Sequence, residues 1–249
     1  MQNQNAEAFL SFMKANAEKV TVKHHNFGLQ IDFYHENRLR SILFHYILEN
    51  QEVNLNSYAF GWIVWEDVWV QNTILVQSSI RANLGNVKKI HGRKTEIRLV
   101  HKPEAIQFLA EHHLSNSGIG KIRYGLFFEN EMVALMCFSA GRNWIEQEGK
   151  AYELIRFCNH QKFRVQGGFS KLLAHFKKEK NPVQLMTFIE DTWYQTTVYE
   201  QFGFRKKEVK YMSFSVSKSE MQRQYPAKVL TGNTMVVNQF KSHKYTWEA

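Results

Sequence analysis

The amino-acid sequence predicts an α/β protein in which a mixed sheet carries flanking helices, preceded by a smaller α/β lobe. Three observations predict it. Strand-like apolar runs and amphipathic helical segments follow the order β-α-β-β-β-α-β-α-β from residue 95 onward. A glycine pair, Gly167 and Gly168, separates an apolar run from an amphipathic helix within "FRVQGGFSKLLAHF". A chain of 249 residues, 44% hydrophobic, can bury a sizeable core as one large domain or two small ones.

The elements follow in order. Residues 6 to 19 predict a helix with Phe9, Leu10, Phe12 and Met13 on one side. "FGLQIDFYHE" and "AFGWIVWEDVWV" predict strands, and between them Leu39, Ile42, Leu43, Tyr46, Ile47 and Leu48 suggest a helix. Residues 72 to 84 make a further helix that stops at Gly85. After "NVKKIHGRK" the pattern restarts with the strand "TEIRLV" and the helix "PEAIQFLAEHHL", whose proline sits in the first turn. A hairpin, "IRYGLFFENE" with "MVALMCFSA", leads to the strand "AYELIRFCN", the glycine turn and the helix "SKLLAHFKKEK". The crossover from Asn159 to the strand at 183 is expected to be right-handed and parallel. A strand "VQLMTFI", a short helix "TTVYEQFGF", a strand "KEVKYMSFSV" and a closing strand pair around "TMVVNQF" and "HKYTWE" complete the chain. The division expected is 1–90 and 91–249.

Composition narrows the partners. Thirty-two Lys and Arg against 23 Asp and Glu give a formal charge of +9, which favours a polyanion. Arg81, Lys88, Lys89, His91, Arg93, Lys94 and Arg98 fall in one stretch, and Arg205, Lys206, Lys207 and Lys210 in another. Either run is equally a solvated surface. The 19 Phe, 10 Tyr and 6 Trp supply stacking surfaces for bases as well as core. Two cysteines, Cys137 and Cys158, are too few for a disulfide framework or a zinc cluster and read as buried thiols in a reducing compartment. With no long apolar run and no signal-like start, an intracellular protein is expected.

A glycine-rich entry to a helix lets backbone N–H groups approach a pyrophosphate closely. Gly167, Gly168 and the N–H groups after Ser170 fit that chemistry, although a glycine pair also serves tight turns for backbone reasons and Ser170 reads equally as an N-cap. Together with the element order and "VYEQFGF", "RVQGGFSKLL" resembles the GNAT family of N-acetyltransferases. The resemblance implies that Arg164, Val165, Gln166, Gly167, Gly168, Phe169 and Ser170 hold the pyrophosphate of acetyl-CoA or another acyl-CoA, without a metal. It implies too that Tyr199 protonates the departing thiolate. Phe169 stands where the family has Gly or Ala. "SGIGKIRYGLFFENEMVALMCFS", "YELIRFCN" and "GGFSKLLAHF" are similar to the GNAT-like region attached to phage homing endonucleases of the Hef type, and more distantly to phage Mom-type DNA-modification proteins. DNA is the partner this implies, in a phage-infected or prophage-carrying bacterium.

"WIVWEDVW" and "VQSSIRANLG" resemble the last strand and helix of the Vsr-like nuclease fold. Such nucleases hold a metal with clustered carboxylates and a lysine. Asp32 in "LQIDFY" is one candidate, but "NRLRSILFHYI" offers no Glu-x-Lys, so residues 1 to 90 read as a degenerate nuclease lobe serving as scaffold or DNA-binding surface.

For N-acylation, Glu153 ranks first as the base, then Glu190 and Asp191. Arg156, Asn159 and His160 lie near the same strand end and could contact phosphate or base, or serve as pairing, capping and surface residues. Trp193 and Tyr194 could stack an extruded base or seal the core. Lys88, Lys89, Arg93 and Lys94 are candidate nucleic-acid contacts. Three classes of function stay open: an acyltransferase on nucleic acid, a non-catalytic DNA-binding module, and an acetyltransferase of proteins or small amines.

Overall fold

The computed structural model describes residues 3–48, 52–54, 62–114, 118–144, 148–190, 197–217, 219–225, 227 and 234–249. The elements are α1 (Gln4–Asn16), β1 (Glu18–His25), β2 (Gly28–His35), β3 (Arg38–His45), β4 (Glu52–Asn54), β5 (Trp62–Trp65) and α2 (Glu66–Asn83). Then come β6 (Lys88–His91), a 3-10 turn (Gly92–Lys94), β7 (Glu96–Leu99), α3 (Lys102–His112), β8 (Ile122–Phe128), β9 (Glu131–Phe138), β10 (Arg142–Asn143) and β11 (Lys150–Asn159). The chain continues through β12 (Phe163–Gln166), α4 (Gly168–Lys180), β13 (Gln184–Glu190), α5 (Thr197–Glu200), β14 (Arg205–Ser217), β15 (Arg223–Gln224) and β16 (Thr234–Glu248). These form two compact units: residues 1–77, 189–195 and 209–243, and residues 78–188, 196–208 and 244–249.

In the first unit, β1, β2, β3 and β5 form a sheet in that order, antiparallel except for the β3–β5 pair. The helix suggested over residues 39 to 48 is instead β3, paired with β2 from His35↔Arg38 to Gly28↔His45. The misreading has a physical cause. Residues 42 to 45 are all buried, because Phe44 stacks on Phe9 of α1 while Leu43 points into a second cluster with Trp65, Phe214, Val216 and Met235. A strand covered on both faces loses the alternation that marks a strand. The β2–β3 turn is local, with Glu36 and Asn37 at φ 50° and 58°. The expected N-terminal helix ends at Asn16 and gives way to β1, which the sequence reading left out.

Of the strand expected over "AFGWIVWEDVWV", residues 59–61 lie outside the described residues, Trp62–Trp65 form β5, and α2 starts at Glu66, with a kink at Asn72 (φ −135°, ψ 37°). Distant partners hold the first turn of α2. Glu66 accepts from Asn3 Nδ2 (2.8 Å), Asn5 Nδ2 (3.0 Å) and the Ile47 N–H (2.9 Å). Asp67 takes both ends of the Arg223 guanidinium, at 2.6 and 3.1 Å.

In the second unit the sheet order is β16-β13-β11-β9-β8-β7. On one face α3 covers Val100, Leu135, Cys137 and Cys158 with Ala105, Phe108 and Leu109. On the other face Phe176 of α4 stacks on Phe138 at 3.6 Å between ring centroids and meets Tyr152 edge-on at 5.1 Å. Both thiols are buried and free, and burial pushes that of Cys137 up to about 12. The crossover through α4 is parallel, Ala151↔Gln184 to Glu153↔Met186. Beyond Glu153 the backbone ladder to β13 stops, although the Thr187 hydroxyl still donates to the Leu154 carbonyl at 2.9 Å, and β11 shifts register against β9 between Leu154 and Arg156 and stays paired with it to Asn159. A separate two-stranded parallel sheet joins β12 to β6. The expected closing strand pair is one strand, β16, since "NQFKSHK" holds no glycine or proline to turn the chain. No described helix is long and apolar enough to cross a membrane.

Candidate functional site

The two glycines of the turn are required for different reasons. Gly167 caps α4 in the left-handed region (φ 72°, ψ 6°), where an added Cβ would meet only the Ser170 hydroxyl at 3.8 Å. Its backbone needs glycine; its surroundings do not. Gly168 is the reverse, with a Cβ position 3.0 Å from Val165 and 3.1 Å from Leu126. Helix α4 begins at Gly168, so Ser170 is not the N-cap; its hydroxyl donates back to the Gly167 carbonyl at 3.0 Å, as the Lys171 N–H does at 3.0 Å. A glycine cap offers no side-chain acceptor, so the N–H groups of Gly168, Phe169 and Ser170 keep no intrahelical partner at the positive end of the helix.

This helix end opens into a cleft of about 1110 Å³ whose walls are His91 to Lys94 on one side and Gln166, Gly167, Ser170, Lys171 and Ala174 on the other. Lys171 joins the walls, because its Nζ donates to the Gly92 carbonyl at 2.9 Å and to the Thr95 carbonyl. Gly92 permits the approach, its Cβ position lying 3.0 Å from the Gln166 carbonyl oxygen. Sequence reasoning passed over Lys171, His91 and Gly92 as parts of this site. The only sequence mark was the glycine in "HGRK".

Arg164 and Val165 diverge. Val165 is buried against the Gly168 backbone, whereas Arg164 is exposed and its Nη1 donates to the Ala82 carbonyl at the end of α2 (3.3 Å). Phe169 turns its ring toward Phe157 of β11 (5.2 Å, 90°), Phe202 (4.8 Å) and Tyr199 (5.4 Å, 84°). Tyr199 is half-buried, with Phe204 and Tyr245 on its other sides at 5.9 and 6.1 Å. The structure thus joins the turn to the candidate acid through an aromatic cluster.

The remaining candidates are placed more loosely. The Glu153 backbone is clamped by Ser139, whose N–H donates to the Glu153 carbonyl (2.9 Å) while its hydroxyl accepts from the Glu153 N–H (2.9 Å). Arg156 donates to the Ile155 carbonyl at 2.7 Å, and the Asn159 Oδ1 is buried without a hydrogen-bond partner among the described residues. The His160 ring lies tilted at 48° against that of His112, centroids 4.0 Å apart, and its Nε2 lies 3.4 Å from Glu131. Burial, then the neighbouring His160, pushes His112 down to about 4; burial lowers His160 as well. Lys88 lies over the Phe163 ring at 5.8 Å, while Lys89, Arg93 and Lys94 are exposed. Glu190 is exposed at the end of β13, in the first unit. Asp191, Trp193 and Tyr194 lie outside the described residues.

Asp32, the nuclease-type candidate, is occupied structurally. Burial opposes its ionisation, but Gln30 Nε2 (2.9 Å), Ser41 Oγ (2.6 Å) and Lys23 Nζ (3.4 Å) hold its carboxyl below the usual range. Among the described residues no three His, Cys, Asp or Glu side chains are grouped to hold a metal ion.

No family model and no curated protein matches the chain. Among solved structures it is similar to a GNAT-family acetyltransferase from Elizabethkingia anophelis with acetyl-CoA bound, at 15% identity and a TM-score of 0.37 over 63% of this chain and 99% of that one. A Bacillus subtilis acetyltransferase in complex with CoA gives 13% and 0.42 over 63% and 99%. A GNAT-family acetyltransferase from Streptococcus pneumoniae gives 12% and 0.42 over 62% and 99%. Likeness at this level carries no functional weight, and what this chain does is argued from its own residues.

Proposed function

We propose that the second unit is a GNAT-like N-acyltransferase that draws on an acyl-CoA and acylates nucleic acid, with a DNA base as acceptor. One observation carries the reading: the uncapped N-terminus of α4, behind a left-handed glycine, opens into a cleft walled by Arg93, Lys94 and Lys171. A diphosphate fits that end. The open space at the Gly167 Cβ position admits phosphate oxygens beside the N–H groups of Gly168, Phe169 and Ser170, and among the described residues no carboxylate lines the cleft.

When bound, the acyl-CoA supplies an activated thioester. Orientation comes from this chain: Ser139 holds the Glu153 backbone on both sides, which fixes the strand that carries the base. Tyr199 gives its phenolic proton to the departing thiolate, and Glu153 takes the proton of the attacking nitrogen. One such acid or base contributes about 10² to 10⁴ in rate. An exocyclic base amine is a poor nucleophile because its lone pair is delocalised, which places weight on that base. The first unit, with Asp32 tied to Gln30, Ser41 and Lys23, serves as scaffold or DNA-binding surface rather than as a cutter.

The packing of Phe169 against Tyr199 favours a second reading, a DNA-binding module that has lost the donor site. Calorimetric titration with coenzyme A, paired with mass spectrometry of nucleosides from cells expressing the protein or its Gly167→Asp variant, separates the two. Coenzyme A binding and a new nucleoside, both abolished in the variant, support the transferase. DNA binding without either supports the module, and acyl transfer to amines but not to DNA supports a protein or small-amine enzyme.

A further inference from the structure

The two-stranded sheet β12–β6 has an outward face that the cleft alone does not explain. Its register pairs Arg164 with Lys89 and Gln166 with His91, and all four side chains are exposed. The alternate pair, Val165 with Ile90, is buried, so the like-charged neighbours Lys89 and Arg164 are presented together to solvent. Like charges directly opposite are destabilising, a cost that a polyanion on this face would remove. The strip runs on into Arg93 and Lys94 of the cleft wall.

Three features define what fits it. Among the described residues the side chains of Lys89, His91, Arg93 and Lys94 make no hydrogen bond or ion pair. No Asp or Glu occurs from residue 85 to 95 or from 159 to 176. None of the exposed large hydrophobic residues lies in either segment, which disfavours a lipid surface. Charge without carboxylates or apolar area suits a regular chain of phosphates. Residues two apart on a strand are about 6.6 Å apart, close to the separation of consecutive phosphates.

We propose that the outward face of β12–β6, from the Lys89–Arg164 pair to Arg93 and Lys94, is a track for the phosphate backbone of nucleic acid. It rests on the reading that nucleic acid is the partner, and deepens it by locating the strand beside the glycine turn. With no exposed aromatic on the face, contact there is to backbone and not to sequence.

The test uses the full chain, a short fluorescein-labelled DNA duplex of mixed sequence, and anisotropy across a potassium chloride series. Wild type is compared with Lys89→Gln/Arg93→Gln/Lys94→Gln and with the equal-charge control Lys206→Gln/Lys207→Gln/Lys210→Gln; thermal melts confirm that each variant folds. Each phosphate contact contributes about 0.9 to the slope of log K against log salt. The expected result is a slope shallower by roughly 3 for the strip variant and a smaller change for the control. Equal changes in both variants, no change in the strip variant, or no binding by wild type overturns the track. Coenzyme A titration of wild type reports the donor site separately. Coenzyme A binding without duplex binding removes the track and leaves the donor site standing; duplex binding through the strip without coenzyme A binding does the opposite.

Discussion

Phe169 stands edge-on to Tyr199, ring centroids 5.4 Å apart at 84°, so the residue after the glycine pair touches the candidate acid directly. A small residue in its place would leave open the space between Phe157, Phe202 and Tyr199. Phe169→Ala is therefore expected to tighten coenzyme A binding, about tenfold for a gain of ~1.4 kcal/mol, while lowering the melting temperature through lost packing. Calorimetry and a thermal melt check both. Unchanged affinity would mean the ring does not obstruct the donor.

Tyr199→Phe keeps the ring and its contacts with Phe169, Phe204 and Tyr245. Turnover should fall by about 10² to 10⁴ with coenzyme A affinity unaltered. Steady-state kinetics with a thiol-detecting assay reads this, and unchanged turnover removes Tyr199 from the mechanism.

The glycines should respond differently to alanine. Gly167→Ala forces φ 72° on an L-residue and should cost about 1 to 2 kcal/mol. Gly168→Ala sets a methyl 3.0 Å from Val165 and 3.1 Å from Leu126, which those side chains admit by shifting a few tenths of an ångström, and should cost less than Gly167→Ala, at most about 1 kcal/mol. Urea denaturation measures both. Restoring space with Val165→Ala should recover part of the second loss and none of the first.

Acid should loosen the α3 end of the second unit. His112, with its side chain 4% exposed, has its folded-state pKa depressed to about 4, and His160 is depressed too. An unfolded chain binds those protons near pH 6.5, so the stability from keeping His112 neutral is present above about pH 6.5 and is lost as pH falls toward 4. The loss is on the order of 3 kcal/mol. Denaturation curves between these limits should show wild type losing this stability toward acid, whereas His112→Phe, with no group to protonate at that position, keeps it.

In the first unit, Asp67 is the carboxylate partner of Arg223, whose guanidinium lies 4.1 Å over Phe214. Asp67→Asn would leave a half-buried guanidinium without its carboxylate and should cost about 1 to 3 kcal/mol. Asp67→Asn/Arg223→Met should recover most of it, a double-mutant comparison readable by urea denaturation.

Local chemistry was legible in the chain. The glycine turn, the amphipathic helix after it, the β8–β9 hairpin and the parallel crossover to β13 each carry their mark within a few residues. Glycine supplies positive φ, and side-chain periodicity follows backbone periodicity. The doubly covered β3, the early start of α2 and the union of residues 209–243 with the first 77 were not legible. Their causes are distant partners: Phe9 and Phe214 on either side of β3, and Asn3, Ile47 and Arg223 on the first turn of α2. The site divides the same way. Gly167 announces an open helix end, but only tertiary structure set Lys89 beside Arg164, tied Lys171 to Gly92 and turned Phe169 onto Tyr199. Register between remote strands and the direction of a half-buried ring are settled by packing across the fold, which leaves no trace in the neighbouring residues.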